Sequence, residues 1–106
     1  MTFDYRLKKE KDFKTVFNKG KRLFSSSLTL IYLPSSELKA GFAVSKKHGG
    51  SVNRNRIKRL LREAFREVQG EIKGKYSIIL VPKVAEEYSF KRYKDHLQCM
   101  IKKEKL

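Results

Sequence analysis

Ala43-Val44-Ser45-Lys46-Lys47-His48-Gly49-Gly50-Ser51-Val52-Asn53-Arg54-Asn55-Arg56-Ile57-Lys58-Arg59-Leu60-Leu61-Arg62-Glu63-Ala64-Phe65-Arg66 is the stretch that decides how this chain folds. It starts as a strand end, passes through Lys46, Lys47 and the Gly49-Gly50 pair, and turns into a helix. Ile57, Leu60, Leu61, Ala64, Phe65 and Val68 fall at i, i+3, i+4, i+7, i+8 and i+11, so one side of that helix must be buried. On a wheel of about 100° per residue, Asn55, Arg59, Arg62 and Arg66 lie opposite the apolar stripe, with Arg56 and Lys58 on its flanks. Ser51 or Asn53 suits the N-cap and Gly70 the end. The helix dipole favours acids in the first turn, yet this one carries Arg54 and Arg56, so local stability is given up to present cations.

The ordinary reading of a charged face is a solvated one. Three features weigh against it here. The bases are mainly arginine, whose planar fork grips phosphate bidentately, whereas lysine dominates elsewhere. Glu63 and Glu67 are the only acids on the helix, so most of these cations have no i,i+4 partner. Asn55 also places an amide, able to donate and accept, between two arginines.

Working outward, the patterning predicts a helix at about Lys9–Asn18, strands at about Leu28–Leu33 and Ala40–Ser45, the basic helix at about Val52–Gln69, a strand at about Tyr76–Pro82 and a last helix at about Ser89–Glu104. That is an α/β pattern with a strand-helix-strand crossover in its middle, which the general rule would make right-handed. Pro34-Ser35-Ser36 reads as a loop and Glu71–Lys75 as the return from the basic helix. The 106 residues suffice for one domain with one modest core. No repeat, low-complexity tract or stretch of about 20 apolar residues is present.

Twenty-six basic and eleven acidic residues give a net charge of +15, which favours a polyanionic partner bound with counterion release. An anionic membrane fits less well than nucleic acid, because the helix has strands to pack against and no aromatic anchors at its ends. Cys99 is the only cysteine and reads as a small core filler in the stripe of Phe90, Tyr93, Leu97, Met100 and Ile101. A lone cysteine and the lack of a secretory pattern point to the cytoplasm.

Phe13 and Phe17, at i,i+4 with Val16 between them, read either as core or as a partly open platform on which unpaired bases stack. Lys9, Lys14, Lys19, Lys21 and Arg22 would then supply phosphate contacts. Leu28, Leu30 and Tyr32 alternate onto one strand face, opposite Thr29, Ile31 and Leu33, and Tyr32 belongs either to a cleft or to the core. Lys46 and Lys47 precede a glycine pair that lets backbone approach a phosphate, but the Gly-Lys-Ser/Thr ending of a P-loop is missing. Acids from Asp4 to Glu104 are scattered, and His48 and His96 are far apart, so the chain has no apparent apparatus for cutting nucleic acid unaided.

Arg54-Asn55-Arg56, continued by Ile57-Lys58-Arg59-Leu60-Leu61-Arg62-Glu63-Ala64-Phe65-Arg66, resembles the signature of the bacterial ribonuclease P protein component. The likeness extends to Asp12-Phe13-Lys14-Thr15-Val16-Phe17, a Gly20-Lys21-Arg22 turn, the Gly41–Lys47 strand and the Tyr76–Pro82 strand. It implies an α+β sandwich over residues 1–106, a small, mostly β-sheet core with three helices and an unusual left-handed βαβ crossover. It also implies a subunit that binds a catalytic RNA and precursor tRNA and assists endonucleolytic removal of the 5′ leader, with Mg²⁺ bound chiefly by the RNA and no obligate protein partner. The RNA-binding residues it points to are Lys46, Lys47, Arg54, Asn55, Arg56, Lys58, Arg59, Arg62 and Arg66, and the leader cleft Phe13, Phe17 and Tyr32. A structural RNA-binding protein of the same size and charge is the alternative, distinguished by having no effect on precursor cleavage.

Overall fold

β4 (Tyr76–Pro82) holds the molecule together, because it pairs on both sides and carries the longest buried run, Ile78, Ile79 and Leu80. A computed structural model describes residues 10–106, and in chain order it runs α1 (Glu10–Lys19), β1 (Lys21–Phe24), β2 (Leu28–Pro34), β3 (Lys39–Phe42), a 3₁₀ turn at Lys46–His48, α2 (Ser51–Val68), a 3₁₀ turn at Gln69–Glu71, β4, and α3 (Phe90–Glu104). The expected helix start at Lys9 lies outside the described residues.

The strands form one mixed sheet in the order β1-β2-β4-β3. β1 and β2 form an antiparallel hairpin, β2 and β4 are antiparallel, and β3 runs parallel to β4, so α2 is the crossover between neighbouring parallel strands. The outcome is an α+β fold with three helices and four strands. α2 and α3 cover one face, where Ile57, Leu61, Ala64, Phe65, Tyr93 and Leu97 meet Leu28, Leu30, Ile78 and Leu80. α1 covers the other, with Val16 on Ile31 and Ile79 and with Phe13 and Phe17 packed around them. Strand alternation therefore sends consecutive residues into two different cores, and β2 and β4 read as almost continuously apolar.

β1 was not anticipated: its Lys21-Arg22 start hides a strand pattern that an edge position tolerates. Its hairpin turn is set by Ser25, whose N–H and Oγ both donate to the Leu28 carbonyl (3.0 and 2.8 Å) while its Oγ accepts from the Leu28 N–H (3.1 Å). The caps of α2 also differ from expectation. Gly50 is the N-cap, with extended backbone and no side-chain cap bond, and Ser51 is already helical. At the far end the chain tightens into a 3₁₀ turn through Gln69, so Gly70 is not a left-handed cap. The position that requires glycine is Gly49, whose φ of 103° and ψ of −160° close the Lys46–His48 turn in a conformation that side chains rarely adopt.

Cys99 is not core filler. It is exposed, because two residues past Leu97 on a 3.6-residue turn is the opposite side of α3. The two histidines are used separately. His48 is buried and its Nδ1 shares a hydrogen bond with the Tyr88 hydroxyl at 2.7 Å, while His96 Nδ1 bonds Ser27 Oγ at 2.5 Å.

Candidate nucleic-acid interface

The basic helix has two flanks, one toward the sheet edge at Phe42 and one toward the approach to α3. Arg54, Lys58 and Arg62, one turn apart, are half-buried along one flank. The Arg62 guanidinium lies 5.9 Å from the centroid of the Phe42 ring on β3, the edge strand of the sheet. Arg62 was expected opposite the core. At about 100° from Leu61 it is instead drawn in at the sheet edge, where its stem and guanidinium cover an aromatic ring. The Nε atoms of Arg54 and Arg62 are buried and have no hydrogen-bond partner among the described residues. Such donors are costly to bury, so this flank carries its cations at some expense to stability.

Asn55, Arg56, Arg59 and Arg66 are exposed. Arg56 and Asn53 turn to the other flank, beside a groove shared with Glu86, Glu87, Tyr88 and Ser89 at the approach to α3. On that side Glu67 reaches across to Lys94 of α3 at 3.0 Å. Among the described residues no ion pair involves any arginine of α2. The helix start adds to this field: with no side chain capping it, first-turn N–H groups remain free for an anion beside Arg54, and Lys46 and Lys47 are exposed in the turn just before.

A second surface lies on the α1 face of the sheet. α1 crosses the row formed by Arg22, Ile31, Ile79 and Gly41, and the Phe13 ring sits so closely on Gly41 that a Cβ there would overlap it. The next row toward the C-terminal ends of β3 and β4 carries Phe24, Thr29, Val81 and Ala43, the last tied in by its N–H donating to the Leu80 carbonyl at 3.0 Å. Phe13, Phe17, Ala43 and Val81 are only half-buried there. Arg22 lies over the Phe17 ring at 5.9 Å and donates from Nη2 to the Phe17 carbonyl at 3.0 Å. The result is a shallow apolar trough whose far end leads into the Lys46-Lys47 turn.

Phe13 and Phe17 thus share one surface with each other, but Tyr32 does not join them. By strand alternation it faces the α2–α3 side, packs edge-on against Tyr76 with centroids 5.4 Å apart, and its hydroxyl donates to Glu104 at 3.4 Å. The assignment of Tyr32 to the leader cleft is corrected to the core side. Lys21 is on that same side, bonded to Glu104 at 3.1 Å, and this carboxylate raises its pKa. It is therefore not a phosphate contact beside Phe17, whereas Lys14 and Lys19 are exposed on α1 and Lys9 lies outside the described residues. The pattern missed Gly41, Phe42 and the Thr29–Val81–Ala43 floor. Only pairing register reveals them, since none carries a charge or a motif.

The family model for Ribonuclease P matches residues 1–105. The ribonuclease P protein component of Shouchella clausii is 36% identical over all of this chain and 90% of its own length, and that of Alkaliphilus metalliredigens is 37% identical over all of this chain and 98% of its own. The solved RNase P protein of Staphylococcus aureus superposes with a TM-score of 0.81 at 28% identity, covering 97% of each chain. That of Thermotoga maritima also gives 0.81, at 27% identity over 92% of this chain and 96% of its own.

Proposed function

The chain belongs to the ribonuclease P protein family, and from that premise we propose how it divides its surface between two RNA ligands. It is the protein component of a ribonucleoprotein endoribonuclease that matures the 5′ ends of tRNA, and it works with the ribonuclease P RNA. In our reading the flank of α2 bearing Arg54, Lys58 and Arg62, with Asn55, Arg56, Arg59, Arg66, Lys46 and Lys47 around it, meets the phosphates of that RNA and of bound precursor tRNA. The trough beside Phe13 and Phe17, along the half-buried edges of the two rings, receives the single-stranded 5′ leader. The observation that carries this division is the half-buried pair of phenylalanine rings over an open sheet end, with Arg22 at one side and the lysine turn at the other. Rings accept the faces of unpaired bases without regard to sequence, and flanking cations hold the backbone.

Mg²⁺ keeps most of its waters and binds phosphate oxygens readily, and RNA supplies those in abundance. We assign the Mg²⁺ of the reaction, and the catalysis, to the RNA. The protein's part is then binding and charge neutralisation, which lowers the cation concentration needed to hold two polyanions together. No helix among the described residues is long and apolar enough to cross a membrane. The exposed, unpaired Cys99 suits a reducing compartment, which supports work in the cytoplasm.

The test is precursor tRNA cleavage at low Mg²⁺ by a compatible ribonuclease P RNA, with and without this protein, beside a protein-only control. Stimulation that requires both RNA and protein is expected. RNA binding with no change in cleavage would reassign the chain to a structural role, and cutting by the protein alone would overturn the division of labour.

A further inference from the structure

Phe24 is the one aromatic among the large hydrophobic side chains that the described fold leaves in solvent, at 69% exposure. Its place is specific. Register pairs it with Thr29, and pairs Arg22, two residues earlier, with Ile31, so both stand on the face that α1 covers. Arg22 is pinned over Phe17 by the Phe17 carbonyl. The planar groups therefore continue from the Phe17 ring to the Arg22 guanidinium and, with Cα atoms about 7 Å apart along the edge strand, to the Phe24 ring on the same face. Lys83 closes the same end of the sheet: it is exposed and its N–H donates to the Ser27 carbonyl at 2.9 Å.

Folding does not account for this ring. A phenyl left in water adds little burial, and an apolar side chain on an edge strand invites unwanted pairing. The charges around it select the occupant. Arg22 on the same strand face and Lys83 at the same sheet end are exposed, and the chain carries +15 overall, so a second copy is repelled and a polyanion attracted. We propose that Phe24 is a further base-stacking position for the single-stranded RNA lying along Phe13 and Phe17, extending that site across β1. This rests on the leader reading of the trough. It adds a contact that only a segment long enough to pass Arg22 reaches.

The experiment measures affinity of the reconstituted holoenzyme for precursor tRNAs with leaders of about two and about ten nucleotides, the longer filling a single-strand site of about 4–16 nucleotides. Phe24→Ala should weaken the long-leader substrate by at least about five-fold, the low end for one stacked base, and leave the short-leader substrate unchanged. Phe24→Trp should keep the affinity. Because the chain has no tryptophan, that ring is also a lone fluorophore, and the long leader should quench it. If Phe17→Ala selectively weakens the long-leader substrate and Phe24→Ala does not, Phe24 is no subsite while the trough reading stands. Should Phe17→Ala show no leader dependence, the trough reading itself fails and this proposal with it. Phe24-dependent self-association of the free protein in sedimentation would replace RNA by a second copy as the occupant.

Discussion

Arg62 is held half inside the protein at a cost, since its Nε is buried without an acceptor while its guanidinium leans on Phe42. Replacing it with an apolar chain of similar length removes an unmet donor. Arg62→Met should therefore leave folding stability unchanged or raise it, by up to about 1–3 kcal/mol, while weakening binding to the ribonuclease P RNA and lessening its salt slope by about one phosphate contact. Thermal denaturation and a salt titration read the two effects. A loss of stability would mean that the stacking on Phe42 outweighs the desolvated nitrogen. Tyr93 makes an independent residue-scale prediction. Burial pushes its phenol up from 10.0 to about 12, so the folded state keeps a proton that the unfolded chain releases first. Stability is then complete below about pH 10 and falls as pH rises toward 12. Tyr93→Phe should flatten that alkaline decline in denaturant melts taken across the window.

At the scale of elements, α1 is placed by a glycine. Gly41 lets the Phe13 ring lie directly on β3, and a methyl there would overlap it. Gly41→Ala should cost about 1–3 kcal/mol, as for overpacking in a filled core, and push Phe13 out of its seat. Affinity for long-leader precursor should fall, whereas binding of the ribonuclease P RNA, which we assign to the α2 flank, should not. Equal loss of both would show that the two surfaces are not separable. How far the pattern was legible differs by element. α2 and α3 were readable because their apolar residues recur at helical spacing against a polar background, and β4 because seven residues stay apolar or small between turn signals. β1 was not, since two cations and a phenylalanine at an edge make no alternation.

For the whole molecule, +15 on 106 residues makes association with RNA an electrostatic event. If Lys46, Lys47, Arg54, Lys58 and Arg62 each meet one phosphate, log affinity should fall against log salt with a slope of about −4 to −5. A slope near zero in a filter-binding titration would remove the basic surface from recognition. Leader-dependent affinity should respond less to salt, because it draws on stacking as well as charge.

The chain by itself determined the class, the arginine-rich helix and the Phe13–Phe17 pair, because charge, helical periodicity and i,i+4 spacing are local properties. It could not say which face of the sheet each strand residue joins. Alternation puts Tyr32 and Ile31 on opposite faces of β2, but that α1 covers the Ile31 face and α2 and α3 the Tyr32 face was decided only by packing between elements. Likewise Arg54, Lys58 and Arg62 differ from Arg56, Arg59 and Arg66 through what α2 packs against, not through composition. Tertiary structure settled those matters because burial and unmet hydrogen bonds belong to pairs of elements, and the partner of each is remote in sequence.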